Sequence, residues 1–218
     1  MIVVIKFLLC YDYIIVNKVN FRKAQYFMKK LSELVRLVSG SPQFRINEAF
    51  DEKTPLFTYY SQMDLTGDLV GIISKNVDNK QVRTNDKVNT LCQGDVVFSL
   101  ITGIATMVRK EHQGYLYTQN YVKLLPGKNI DSKFLVYLIN ENKTIKKQFV
   151  LGLQGSQVLK YTLRQLKELE IPNIPSIDKQ KIIGQVYFNQ LRLQSLKNRA
   201  AELETKIILS KLDEAGEK

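Results

Sequence analysis

Very few side chains in this sequence could carry a reaction. It holds one histidine, His112, and two cysteines, Cys10 and Cys92, short of the three or four nitrogen and sulfur donors that a zinc site takes. His112 lies in Lys110-Glu111-His112-Gln113-Gly114, a polar turn, and reads there as an exposed bystander. One set has the residue types of Mg²⁺-dependent phosphodiester hydrolysis: Asp131, then Glu141-Asn142-Lys143 ten residues later. Paired carboxylates share a metal only when they converge on it. Here they flank a segment with helical spacing, which puts them at opposite ends of one helix, so they read as solvated helix ends. A GxxxxGK[ST] phosphate loop, a glycine-rich cofactor loop and an Asn-Pro-Pro-aromatic loop for holding adenine are all missing from the sequence, and Asn173-Ile174-Pro175 is no substitute for the last. The expectation is a non-catalytic protein without metal ligands or cofactors.

Binding chemistry is better represented. Lysine and arginine number 32 against 21 acids, a net charge of +11, which suits a polyanionic partner, nucleic acid first. Residues 1–28 carry 4 basic and 1 acidic side chains, 29–177 carry 20 and 14, and 178–218 carry 8 and 6. No segment is a basic tail, so a DNA face has to be assembled by folding. Lysines suit phosphates, whereas Arg pairs with guanine edges and Asn or Gln with adenine edges. On that basis the candidates for DNA contact are Lys80, Gln81, Arg83 and Lys87 in the polar stretch 76–87, then Arg109 and Lys110 at a strand end. Lys143, Lys146 and Lys147 follow about one helical turn apart, and Gln154, Ser156, Gln157 and Lys160 surround Gly155. Taken singly, each of these reads first as a solvated surface group. Tyr59 and Tyr60 would face opposite sides of a strand, so at most one is expected inside, and the other is free to stack on a base.

The elements that must position these groups change in character along the chain. Up to residue 126 the apolar runs are short and often punctuated, as in a mostly β region. Strands are expected at 56–60, 69–74, 88–92, 95–101, 104–109 and 115–125, with turns at Gly94-Asp95 and Thr102-Gly103. Ser132 then caps a helix whose Phe134, Leu135, Leu138 and Ile139 share one face. A short helix at 144–150, a polar loop at 151–161 and a Thr162-capped helix bearing Leu163, Leu166 and Leu169 come next. Two prolines keep 170–176 extended.

Beyond that lies the clearest period in the chain. Steps of 4 and 3 from Ile182 give Val186, Asn189, Leu193, Leu196, Ala200, Leu203 and Ile207, a coiled-coil stripe. A helix over 178–212 would run about 52 Å and cannot bury that stripe alone. Either another helix lies on it or the helix folds back on its own domain. Asn189 in the stripe is the residue type that fixes register, or equally a plain surface asparagine. The N-terminal residues 1–16 are apolar but broken by Lys6 and Asp12, which fits neither a membrane span nor a signal peptide. Residues 1–27 read as an extension from an upstream start, because Met28 begins the domain-like pattern, or as an added edge strand.

Three stretches, in order, resemble the specificity subunits of type I restriction-modification systems. Lys30-Leu31-Ser32-Glu33-Leu34-Val35 through Val38-Ser39-Gly40 resembles the opening of a target recognition domain. Gly94-Asp95-Val96-Val97-Phe98-Ser99, Gly103-Ile104-Ala105 and the strand at 121–126 resemble its centre. Gly152-Leu153-Gln154-Gly155-Ser156-Gln157, Leu166-Lys167-Glu168-Leu169-Glu170-Ile171-Pro172 and Asp178-Lys179-Gln180-Lys181-Ile182-Ile183 with the long helix resemble its end and spacer. The resemblance implies an α+β fold, a β-rich target recognition domain (30–176) followed by a long C-terminal coiled-coil helix (177–218), with 1–29 ahead of them. It implies a cytoplasmic DNA-binding specificity subunit that reads half of a bipartite site. Adenine methyltransferase subunits and a motor-nuclease restriction subunit would be its partners, directing N6-methylation and restriction. With one recognition domain and one helix, the chain has about half the pattern, which implies a homodimer, pairing with a different half, or a truncated remnant. A small Mg²⁺ nuclease and a protein-only coiled-coil module are the alternatives.

Overall fold

The computed structural model describes residues 28–72, 79–153 and 160–216. In chain order its strands are β1 (Lys29–Lys30), β2 (Val35–Ser39), β3 (Leu56–Thr58), β4 (Gln81–Arg83), β5 (Val96–Ser99), β6 (Ala105–Met107), β7 (Tyr121–Pro126) and β8 (Glu170–Ile171). The helices are α1 (Leu31–Leu34), α2 (Gln62–Val70), α3 (Ser132–Glu141), α4 (Lys143–Leu153), α5 (Leu163–Glu168) and α6 (Ile177–Gly216). The architecture is α+β with a long C-terminal helix, as the sequence implies.

The centre is an antiparallel sheet in the order β2-β7-β5-β6. Strand β5 is buried at all four positions, which requires cover on both faces, and its alternation assigns the cover. Val96 and Phe98 enter the largest core with Leu135 and Ile139 of α3, Ile145 and Phe149 of α4 and Leu166 of α5. Val97 faces the other way, into a cluster with Tyr60, Leu65, Leu91, Val108, Tyr117 and Tyr121. The β3-β4 ribbon adds a third cluster of Tyr59, Val82 and Leu116.

Several local expectations change. Leu69 and Val70 belong to helix α2 and not to a strand, because Ser61 caps that helix by accepting from the Asp64 N–H while Asp64 accepts from Ser61. This capping box outweighs the β-like run that follows it. Tyr59 and Tyr60 do point to opposite sides, yet both are buried, since each side has its own cluster. Helix α3 is capped by Asp131 and not Ser132, the carboxylate accepting from Phe134 N–H at 2.9 Å. Residues 88–92 form no strand, only a bridge at Thr90, and continuous pairing of the 115–125 segment starts at Tyr121. Leu151-Gly152-Leu153 continues α4 where the sequence predicts a loop. Lys29, which the sequence places ahead of the domain, pairs with Ile171 of β8, and Lys30 follows it opposite Glu170.

Helix α6 is 40 residues long, about 60 Å, and its first turns are bolted to the body. Gln180, 1% exposed, accepts from the Asp131 N–H at 2.9 Å and donates to the carbonyls of Asn129 and Pro175. Gly184 lies against the first turn of α3, where an added Cβ would meet the Phe134 nitrogen at 2.6 Å and the Lys133 carbonyl carbon at 2.7 Å. Phe188 completes the seam inside the main core.

Candidate nucleic-acid interface

The one histidine is not the exposed bystander its turn suggests. His112 is 4% exposed and sits between two buried aspartates of α2. Its Nδ1 is 2.9 Å from Asp68 Oδ1 and its Nε2 is 3.3 Å from Asp64 Oδ1. Asp64 and Asp68 are one helical turn apart, so they present both oxygens on one face. Donating from both ring nitrogens requires the doubly protonated, charged imidazole. Burial pushes its pKa down, but the two carboxylates override this and hold it up at about 9. Burial likewise pushes Asp64 up, and His112, Ser61 and Asn79 more than reverse it, leaving its carboxyl below the usual range. Asp68 also accepts from the Tyr60 hydroxyl at 2.7 Å.

This node aims one of the candidate DNA contacts. The Arg109 backbone N–H donates to Asp68 Oδ1 and its Nε donates to the Asp68 carbonyl at 3.0 Å. Gly71 ends α2 at φ 75°, and a Cβ there would collide with Arg109 Nη2, so a small residue with left-handed freedom leaves room for the guanidinium. The sequence signal for the node is the Ser61-x-x-Asp64 box. His112 itself is 44 residues from Asp68, and nothing local joins them.

The other candidates are carried by separate elements. Lys80 lies 5.6 Å from the centre of the Tyr59 ring, Gln81 donates to Thr58 Oγ1 and Lys87 is exposed. Arg83 is committed to the fold through Nη1, which ties down the carbonyls of Glu52 and Thr54 at 2.9 and 3.0 Å. Lys110 is exposed beside Arg109. Lys143, Lys146 and Lys147 are exposed on the first turns of α4, with Lys146 paired to Glu141 at 2.9 Å. Lys160 donates to Asn120 Oδ1 at 2.7 Å. Gln154, Ser156 and Gln157 lie outside the described residues.

The nuclease-like set is taken apart by α3. Asp131 caps one end and Glu141 stands at the other, where it accepts from the Tyr187 hydroxyl. Ten residues of helix separate them by about 15 Å, too far to share a cation. Among the described residues no three His, Cys, Asp or Glu side chains converge as a metal site, and no helix is long and apolar enough to cross a membrane.

The stripe of α6 is a second face, distinct from the seam to the body. Ile182, Val186, Asn189, Leu193, Leu196, Ala200, Leu203 and Ile207 are all exposed, Ile182 at 64%. Gln180, Gly184 and Phe188 are the residues buried against the body, with Ile183, Tyr187 and Leu191 half-buried beside them. From Leu196 to Gly216 every side chain is exposed.

A family model described as the type I restriction modification DNA specificity domain matches residues 24–207. No curated protein matches. Among solved structures, the HsdS subunit from Thermoanaerobacter tengcongensis is similar over 88% of this chain at 17% identity and a TM-score of 0.56. A chain from work on complex assembly and conformational transition of the type I R-M system is similar over 88% at 19% identity and a TM-score of 0.57. In both cases the match spans 44% of the solved chain, so this protein covers less than half the length of either.

Proposed function

The chain belongs to the type I restriction modification DNA specificity family, and on that premise we propose that it reads one half of a bipartite DNA site and pairs through α6 to present the second half. The observation that carries this is the exposed apolar stripe of α6, which no described part of the chain covers. One positively charged body bearing one such helix is half of a split-site reader. Chemistry then falls to partners: adenine methyltransferase subunits that deliver N6-methylation and a motor-nuclease subunit that cuts unmodified DNA. Lys80, Gln81, Lys87, Arg109, Lys110, Lys143, Lys146, Lys147, Lys160 and the 154–157 segment are the proposed contacts, with Arg109 the best oriented of those described, whereas Arg83 is spent on the carbonyls of Glu52 and Thr54. Residues 30–176 act as the reader and 177–218 as the spacer.

Binding is expected to weaken steeply with salt. Four to six phosphate contacts imply a loss on the order of 10²- to 10³-fold between 50 and 200 mM salt, measurable by fluorescence anisotropy on duplex DNA. A flat response would leave only a protein-binding module. Co-expression with a matching methyltransferase subunit, followed by mapping of N6-methyladenine, should return a split motif, palindromic if two identical copies pair.

Pairing has its own test. Leu193→Asp places a charge in the stripe of both copies, which an apolar interface cannot solvate. Light scattering should show a wild-type dimer and a monomeric variant, the dissociation constant rising by about 10²-fold or more. Equal masses for the two proteins would remove the homodimer.

A further inference from the structure

Between the end of β6 and the middle of α6 lies a cleft of about 440 Å³ lined by Arg109, Lys110, Lys133 and Arg192, with Asp68 and Glu111 as its acids. Asp68 is already engaged by Tyr60, His112 and the Arg109 N–H, so it offers these cations little. Among the described residues, none of the four cations has a carboxylate within ion-pair distance. Two are held in place by neutral acceptors, Arg109 through the Asp68 carbonyl and Lys133 through Gln185 Oε1 of α6. Even with Glu111 counted against them, four cations around one concave surface leave it net positive, and an anion seated among them offsets their mutual repulsion. Two of them belong to the reading body's β6 end and the others to α3 and α6, so the seated anion would bridge body and helix.

We propose that this cleft seats a phosphate of the DNA backbone, so that Lys133 and Arg192 join Arg109 and Lys110 and α6 touches the duplex where it runs alongside the body. The proposal rests on the DNA-reading function above and adds two contacts, one of them on the spacer helix itself. These contacts carry no base information, because phosphates are alike in every sequence.

The test uses the full chain, a mixed-sequence duplex and the pair Lys133→Gln plus Arg192→Ala. Glutamine keeps the Cβ that packs on Gly184, and an unchanged thermal midpoint confirms that the variant folds. The slope of log affinity against log salt should become shallower by about 0.9 for each phosphate charge that is no longer neutralised, with affinity at low salt down by roughly 10- to 100-fold and the preference among sequences unchanged. In a parallel titration, inorganic phosphate alone should bind weakly to wild type and more weakly still to the variant, since an isolated anion lacks the neighbouring phosphates that hold a duplex in place. Wild-type slope and affinity in the variant would overturn the proposal while leaving the DNA-reading function standing. Strong, variant-sensitive binding of free phosphate with unaltered duplex binding would make this a small-anion site and overturn it too. So would normal duplex binding with lost capture of the methyltransferase subunit, which would mark an acidic protein surface as the occupant. If wild type shows no salt-sensitive binding to duplex at all, both fall together.

Discussion

His112→Ala should lower the unfolding free energy by about 3–5 kcal/mol at pH 6, the range for removing one partner of a buried ion pair. The loss is large because it strands Asp64 and Asp68 without the cation between them, and both aspartates are 3% exposed or less. The pH dependence follows from the direction of the shifts. The imidazole titrates near 9 in the folded chain against its ordinary 6.5, so its contribution is fully present below about pH 6.5 and is lost as pH rises through about 9. At 1.36 kcal/mol per pH unit the wild-type protein should lose on the order of 3 kcal/mol over that window. Asp64 is shifted the other way, so the acid side loses stability as protonation of this carboxyl sets in. Urea denaturation at pH 6 and pH 9.5 is the measurement. The wild-type curve should fall between the two, and the alanine variant should lie lower and stay flat. A variant within about 1 kcal/mol of wild type at pH 6 would mean that the imidazole carries no charge there.

The second large effect is expected at Gly184, where the sign is informative. In an exposed helix, Gly→Ala raises stability by about 1 kcal/mol. Here the new Cβ would fall within 3 Å of backbone atoms of Lys133 and Phe134, which cannot swing aside as a side-chain tip can. Gly184→Ala should therefore destabilise, and Gly184→Val should cost about 1–3 kcal/mol or more as α6 is levered off α3. The Gln180 hydrogen bonds to Asp131, Asn129 and Pro175 then lose their geometry as well. Denaturation midpoints of the two variants decide it, and a stabilised Gly184→Ala would show that the seam between α3 and α6 yields to a methyl group without cost. Because the proposed phosphate cleft has walls on both the body and α6, Gly184→Val should also weaken duplex binding.

How much of this the sequence discloses depends on whether the signal is local. The β5 run between glycine turns, the Phe134-to-Ile139 face of α3, the Thr162 cap and the long helix can all be read from neighbours within a turn or two. Helix α2 escapes such a reading because its apolar tail looks like β, although its Ser61-x-x-Asp64 box stands in plain view. The seam of α6 escapes for a different reason. It consists of an amide, a glycine and one phenylalanine, and hydrophobic counting passes over the first two. His112 lies beyond any local reading, since its partners come from another element across a fold that must first exist. Among the candidate DNA contacts, the sequence offers side chains of the right type but does not distinguish Arg83, spent on holding a loop, from Arg109, held in place by the end of α2.

The four-stranded sheet, covered on both faces, also acts as a partition. Behind β5 lie Val96, Phe98 and the helices that anchor α6; in front lie Val97, the α2 node and Arg109. The two clusters are separate, although the cleft at the end of β6 is lined from both sides, by Val108 and Arg109 and by Lys133 and Phe188; paired substitutions deep in each, such as Leu65→Ala with Leu166→Ala, should add to within about 0.3–0.5 kcal/mol. A protein divided this way can change side chains in front of the sheet while Gln180, Gly184 and Phe188 keep the long helix in place behind it, so one face is free to diverge without loosening the other.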